Sequence, residues 1–286
     1  MAMTLTREVF DGEQLTPTTV AEVLHIKALP HDRFRADPVS VTGRRTIYGG
    51  QVAAQALRAA SLTVPEDRVA HSIHGYFLLA GDASAPIELR VERDRDGGRY
   101  SGRRVTAVQG DGVIFSMSCS FSRPKPDAPE FQAAELPRVQ RPDELDTHQL
   151  NASRTFDVEA RVPDDTRPWY RWPARMWLRI REPLADDPNV RACGMVFLSD
   201  LCTGLSRAPQ IEQVGLLPSV DHAVWLHRSA DPNDWLLIDL DPIATAGGRG
   251  MYSGHLYDTQ GTIVATLAQE SLFDVPRPRD EKRSAT

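Results

Sequence analysis

Hydrophobic runs separated by polar turn residues set the rhythm of the first half of the chain. Ala70 to Leu79, Ile87 to Arg93, Tyr100 to Gln109 and Val113 to Ser122 are mostly β-branched and aromatic in character and predict strands. Gly81-Asp82, Asp96-Gly97-Gly98 and Gln109-Gly110-Asp111-Gly112 are the turn signals between them. Upstream, Pro17 to Leu24 predicts a short helix and Phe34 to Val41 the entry into a first strand. Arg45 to Gln51 then leads into Val52 to Ala60, an alanine-rich helix of at least roughly two turns. Its small side chains allow close approach of a sheet wrapped around it. One helix followed by antiparallel strands indicates an α+β unit.

The same grammar returns further on. Phe156 to Arg161 and Ala174 to Arg181 are strand candidates, followed by a helix beginning at Asp187, a good N-cap, with Pro188 at the first helical position. From Ala192 to Leu205 nearly every residue is apolar or small, which predicts a helix buried all round, able to stop at Gly204 or Pro209. Ser219 to Arg228, Trp235 to Leu240, Gly250 to Tyr257 and Thr262 to Phe273 then predict strands. Short matches accompany the repeat. His74-Gly75-Tyr76-Phe77 answers His222-Ala223-Val224-Trp225, Tyr100-Ser101-Gly102 answers Tyr252-Ser253-Gly254, and Val113-Ile114-Phe115 answers Thr262-Ile263-Val264. The offsets agree closely, so two copies of one α+β unit are expected. These are residues 1–123 and 151–286, joined by a proline- and charge-rich segment, 124–150, whose composition is that of a semi-rigid, exposed linker. Duplicated sheets joined edge to edge would leave few open edges, with room for a ligand between the units.

Composition narrows the function. A length of 286 residues gives each copy enough chain for a core. A formal charge of −6 disfavours nucleic acid as a partner. The three cysteines lie in apolar runs without metal-ligand spacing and are expected as reduced, buried thiols, so the cytoplasm is the expected compartment. The N-terminus lacks a signal-peptide core, no apolar run approaches the ~20 residues of a bilayer span, and the last residues, Arg283 to Thr286, are not a peroxisomal address. No nucleophile elbow, dinucleotide fingerprint or P-loop is present.

Asp200 is the one acidic side chain in the buried run. A carboxylate there would cost several kcal/mol unless partnered, or shift its pKa upward. In the repeat register the first copy has Gly50-Gln51 where the second has Asp200, His71 where it has Ser219, and Ser120 where it has Gln269. An acid, a hydroxyl and a carboxamide thus gather in the second copy alone. That set suits hydrolysis: the carboxylate accepts a proton from water while hydroxyl and amide hold that water. A thioester is a plausible target. Backbone N–H groups at Gly49-Gly50, where the first helix starts, are candidates for meeting the oxyanion. Against these stand structural readings: Asp200 as a cap, Ser219 as a turn residue after Pro218, and Gln269 on a solvent face. His74 and His222, at matched positions, suggest a role in the fold. Of Arg103-Arg104, one side chain is expected to point away from the other.

Tyr48-Gly49-Gly50-Gln51-Val52-Ala53-Ala54-Gln55-Ala56-Leu57, then His71 to Leu78 with Gly81-Asp82, resembles the acyl-CoA thioesterase II (TesB-like) family. The resemblance continues through Ser101 to Val105, Ser199-Asp200-Leu201, Asp221 to Arg228, Gln260 to Ala265 and Gln269-Glu270. It implies a double hotdog, each long helix wrapped by an antiparallel sheet, that hydrolyses fatty acyl-CoA to free acid and CoA without a cofactor. It carries the catalytic roles onto Asp200, Gln269 and Ser219, the last standing where the family commonly has threonine. Gly49, Gly50, Gln51, His74 and Arg103 are the candidate substrate-binding residues, and a homodimer or homotetramer without membrane insertion is implied. Two rivals share the architecture. An enoyl-CoA hydratase needs an Asp/His pair, but Asp231-Pro232-Asn233-Asp234 has no following histidine. A non-catalytic acyl-CoA binder would not need Asp200, Ser219 and Gln269 together.

Overall fold

A computed structural model describes residues 17–39, 45–148, 150–163, 173–211, 214 and 217–273. The predicted end of the first strand at Val41 and both tails lie outside these residues. The first copy comprises β1 (Lys27–Leu29), β2 (Arg33–Ala36), the long helix α2 (Gly49–Ser61), β3 (Val69–Phe77), β4 (Ile87–Asp96), β5 (Tyr100–Gln109) and β6 (Gly112–Ser122), with the short helix α1 (Val20–Val23) before it. After α3 (Asn151–Thr155), the second comprises β7 (Val158–Arg161), β8 (Arg175–Ile180), α4 (Pro188–Ser199), β9 (Asp221–Leu226), β10 (Leu236–Ala246), β11 (Arg249–Tyr257) and β12 (Ile263–Leu272).

All twelve strands form one sheet in the order β1-β2-β4-β5-β6-β3-β9-β12-β11-β10-β8-β7. Read from either edge the order is the same once corresponding strands are exchanged, as a duplication with a local twofold requires. The axis lies at the β3–β9 junction, where Ile73 pairs Val224 and Gly75 pairs His222, with His74 and Ala223 between them. Joining the copies here pairs two would-be edges with each other. On the inner face α2 packs against α4. Ala53, Ala54, Ala56 and Leu57 of α2 and Cys193, Val196, Phe197 and Leu198 of α4 are fully buried. The alanines let the sheet curl closely round α2, as their size predicts.

Three sequence expectations are revised. The apolar run after Asp187 is not helical to Leu205. Asp187 caps α4 as expected, its carboxylate accepting from Asn189 N–H at 2.7 Å, but the helix ends at Ser199. Asp200 is the C-cap, and a 3₁₀ turn follows at Gly204–Arg207. The run stays apolar because the returning segment is buried too, Leu201, Cys202 and Leu205 included. All-round apolarity reports burial and does not distinguish helix from packed loop.

The linker is not exposed throughout: from Gln132 onward half-buried residues alternate with exposed ones. Gln132, Ala134 and Leu136 are the half-buried ones, laid on the outer face of the second copy's half of the sheet. Ala134, Leu136, Val139 and Leu145 there cover a second core of Trp177, Leu237, Tyr257 and Ile263. Trp177 donates its indole N–H to Gln140 O at 3.0 Å, and Gln132 exchanges bonds with Gly261 O and Ile263 N–H at 2.9 and 3.0 Å.

The repeat register also shifts, by three residues between β5 and β11, where Tyr252 answers Arg103 and not Tyr100, and by one between β3 and β9. Alternation turns Ile73 and Gly75 of β3, and His222 and Val224 of β9, to the helices, whereas His74 is exposed on the far face. The twofold therefore matches His222 with Ile73, not with His74. A one-residue slip exchanges the two faces of a sheet.

Candidate active site

The site forms where the end of α4 meets the start of α2. Asp200, one residue past the last turn of α4, places its carboxylate against Gly49 and Gly50. The backbone N–H of Gly50 is on the side of the carboxylate and favours its charged form. A Cβ on Gly49 would lie 2.8 Å from Asp200 Oδ2 and 2.9 Å from the Phe77 ring, so only glycine lets the carboxylate approach this closely. The positive end of the α2 dipole favours the anion, while the carbonyl end of α4 does not. Tyr48, the N-cap of α2, braces the junction by donating its hydroxyl to Phe197 O at 2.7 Å, across from α4.

β12 and the segment entering β9 bring the other groups. Gln269 Nε2 donates to Asp200 Oδ1 at 3.2 Å and to Ser219 Oγ at 2.6 Å. Ser219 is not yet in β9; it forms a bridge to Ser271, which fixes it beside the same stretch of β12. Gln269 Oε1 is held in turn by His222 Nδ1, and His222 Nε2 lies 2.8 Å from Ser199 Oγ at the end of α4. Gln269 and His222 are buried at 2% and 0% exposure, whereas Asp200 and Ser219 keep accessible surface. Asp200 and Ser219 thus reach the surface, and Gln269 and His222 lie buried behind them.

Burial pushes the Asp200 carboxyl above its ordinary value; the nearby His222, the Gln269 hydrogen bond and the Gly50 N–H partly oppose this. Burial raises Tyr48, Tyr252 and Cys202 as well, and the Asp200 charge adds to each, so all three stay neutral around it. Among the described residues no group of His, Cys, Asp and Glu is arranged to hold a metal. Two surface grooves of about 530 and 540 Å3 lie along the linker, at Arg141, Arg161 and Trp235 and at Arg138 to Gln140, and neither is lined by Asp200, Ser219 or Gln269.

Residues 37–122 match the model of the acyl-CoA thioesterase N-terminal domain, and residues 124–273 that of the C-terminal domain. The chain belongs to the acyl-CoA thioesterase family. It is 31% identical over 290 residues to human acyl-coenzyme A thioesterase 8, covering 91% of this chain and 90% of that one. To acyl-CoA thioesterase 2 of Haemophilus influenzae it is 32% identical, covering 81% and 88%. The crystal structure of acyl-CoA thioesterase II TesB2 from Mycobacterium marinum superposes with a TM-score of 0.73 at 32% identity, over 90% of this chain and 98% of that one. A hot dog fold protein of Alicyclobacillus acidocaldarius, 17% identical with a TM-score of 0.72 over 90% and 98%, shares the fold. The architecture is a double hotdog. No helix among the described residues is long and apolar enough to cross a membrane.

In this thioesterase the second copy alone holds the polar set. Sheet register and the twofold match Gln269 with Cys119, His222 with Ile73 and Tyr252 with Arg103, and the C-cap Asp200 corresponds to Leu62, the C-cap of α2. Cys119 is a buried thiol pushed up to about 12 by desolvation. His71 and Ser120, the counterparts expected from sequence, do bond each other at 2.8 Å, but not at the equivalent place. The expected register for Asp200 at Gly50-Gln51 is replaced by a direct contact: Gly50 is its partner, not its counterpart.

Of the substrate-binding candidates, Gly49 and Gly50 reach the site. Gly50 sits at the start of α2 beside the Asp200 carboxylate, whose charged form its N–H favours. Gln51 is fully buried beside Val39, whose N–H donates to its Oε1 at 3.4 Å. His74 lies on the outer face, edge-on to Trp225. Arg103 is buried and fully engaged, donating to Thr63 Oγ1 and O at 2.9 Å each and to Asp96 at 2.8 Å, so it ties the exit of α2 to the β4–β5 turn. Arg104 points outward to Glu92 and Asp94, the opposite facing expected of adjacent strand residues. Sequence reading missed His222 as a member of the site. The signal was present: His222, Val224 and Leu226 share one strand face, so an ionisable ring occupies a core-facing position.

Proposed function

We propose that Asp200, Ser219 and Gln269 hydrolyse the thioester of a fatty acyl-CoA through one shared water molecule. The observation that carries this reading is the Gln269 amide nitrogen, bonded at once to Asp200 and to Ser219. Two oxygens on one nitrogen lie close enough for a single water to touch both. Asp200, as a carboxylate, takes a proton from that water as its oxygen attacks the thioester carbonyl. The C–S bond then breaks, and CoA leaves as a thiol on receiving the proton. Ser219 accepts from Gln269, which leaves its own O–H free to donate to the water or to the carbonyl oxygen. A base whose pKa is raised toward the working pH removes a proton more effectively than an ordinary carboxylate. The buried free thiols Cys119, Cys193 and Cys202 support a reducing compartment, in keeping with a cytoplasmic enzyme.

Parallel incubations with palmitoyl-CoA plus a thiol reagent and with an enoyl-CoA test the reading. Release of free thiol is expected from the first. Loss of enoyl absorbance without thiol would indicate hydration instead, and binding with neither signal a non-catalytic role.

A further inference from the structure

We infer that His222, braced by Ser199, is the positioning residue that keeps the Gln269 amide turned with its nitrogen toward Asp200 and Ser219. The inference rests on the proposed roles of those three residues. A carboxamide has two orientations of nearly equal shape, and only one of them is useful here. With the nitrogen forward, Gln269 donates to both site oxygens. With the amide reversed, Oε1 would stand against the Asp200 carboxylate, acceptor against acceptor with no proton between them.

The other end of the amide decides how firmly the useful orientation is held. Gln269 Oε1 only accepts, so the nitrogen beside it, His222 Nδ1, carries the proton. In the neutral ring Nε2 then accepts from Ser199 Oγ–H, 2.8 Å away. In the charged ring Nε2 donates to Ser199, which passes its own proton to Val196 O at 2.9 Å. Both protonation states leave a proton on Nδ1 facing Oε1. Ser199 is the last residue of α4 and Asp200 the next, so this relay returns to the backbone that carries the base. His222 and Ser199 are 0% and 1% exposed, which keeps water from replacing either partner. The ionisable groups facing Asp200 are His222 from β9, Tyr48 from the start of α2, Tyr252 from β11 and Cys202 from its own segment. Tyr252 pairs with Gln269 across the β11–β12 ladder, but of these groups only His222 hydrogen-bonds its carboxamide.

The test compares His222→Leu, His222→Asn and His222→Gln in the full-length protein, with Asp200→Asn as reference. Readouts are palmitoyl-CoA hydrolysis across pH and thermal melting. An Asn side chain can set an N–H where Nδ1 stands, whereas a Gln side chain reaches toward Ser199. For His222→Leu, kcat is expected to fall ~10- to 100-fold with KM changed less than about threefold, the pattern of a lost contribution to the chemical step. Its acid limb should move to higher pH, because an amide free to turn no longer favours the Asp200 anion. His222→Asn should recover at least ~10-fold of that loss, and His222→Gln little of it. Equal activity of the Asn and Gln variants, or wild-type kcat and acid limb in any folded Leu variant, would overturn the positioning role. Wild-type turnover in Asp200→Asn would instead remove the site reading on which the inference stands.

Discussion

Asp200 carries a conflict between stability and function. Its carboxylate sits at the carbonyl end of α4, has the neutral Tyr48, Tyr252 and Cys202 around it, and is pushed upward by burial. Because the folded state binds its proton more tightly than the unfolded chain, stability falls as pH rises from the unfolded value through the folded one. On the proposed mechanism activity runs the opposite way, since the anion is the base, and is lost as pH falls through that same raised value. Replacing Asp200 with Asn should therefore lower kcat at least ~100-fold. It should also leave melting unchanged in acid and raise it at pH 8; a lower melting temperature at pH 8 would contradict the burial argument. Gly49 offers a second check. Gly49→Ala drives a Cβ into Asp200 and Phe77, so kcat should fall ~10-fold or more while the fold survives, a displacement of the base by a fraction of an ångström being sufficient. Circular dichroism beside kinetics separates this outcome from global unfolding.

At the scale of elements, α4 is set by its cap and α2 by its neighbours. Asp187→Ala removes the acceptor for two N–H groups and should cost about 1 kcal/mol of stability, read by urea denaturation, with kcat unchanged. Arg103→Met should lower melting and leave KM for acyl-CoA unaltered, since its guanidinium holds Thr63 and Asp96 rather than Asp200 or Ser219; a raised KM with normal melting would restore it as a binding residue. The long strands were legible because β-branched runs ended in turn signals, as in β5, Tyr100–Gln109, whose bounds follow directly from the sequence. Other elements were not. The β1–β2 hairpin turns through His31 and Asp32, both at positive φ without a glycine, and Asp32 is held there by Arg93 at 2.6 Å. That support comes from β4, far along the chain, and no local pattern reports it. The end of α4 was hidden by continued apolarity, and the register of the copies was obscured because matching His74 to His222 set an exposed position against a buried one.

For the whole molecule, duplication supplies the scaffold and asymmetry supplies the chemistry. The first copy contributes Gly49, Gly50 and Phe77; the second contributes Asp200, Ser219, His222 and Gln269, so the site exists only because the twofold brings the start of one helix to the end of the other. The trio was legible as residue types; His222 behind it and the contact with α2 needed the sheet register. The most direct measurement compares kcat/KM of Asp200→Asn, Ser219→Ala and Gln269→Ala with that of the triple variant. Groups serving one water act as a unit. The triple variant should therefore be little worse than Asp200→Asn alone, whereas losses that multiply as independent factors would contradict a shared water.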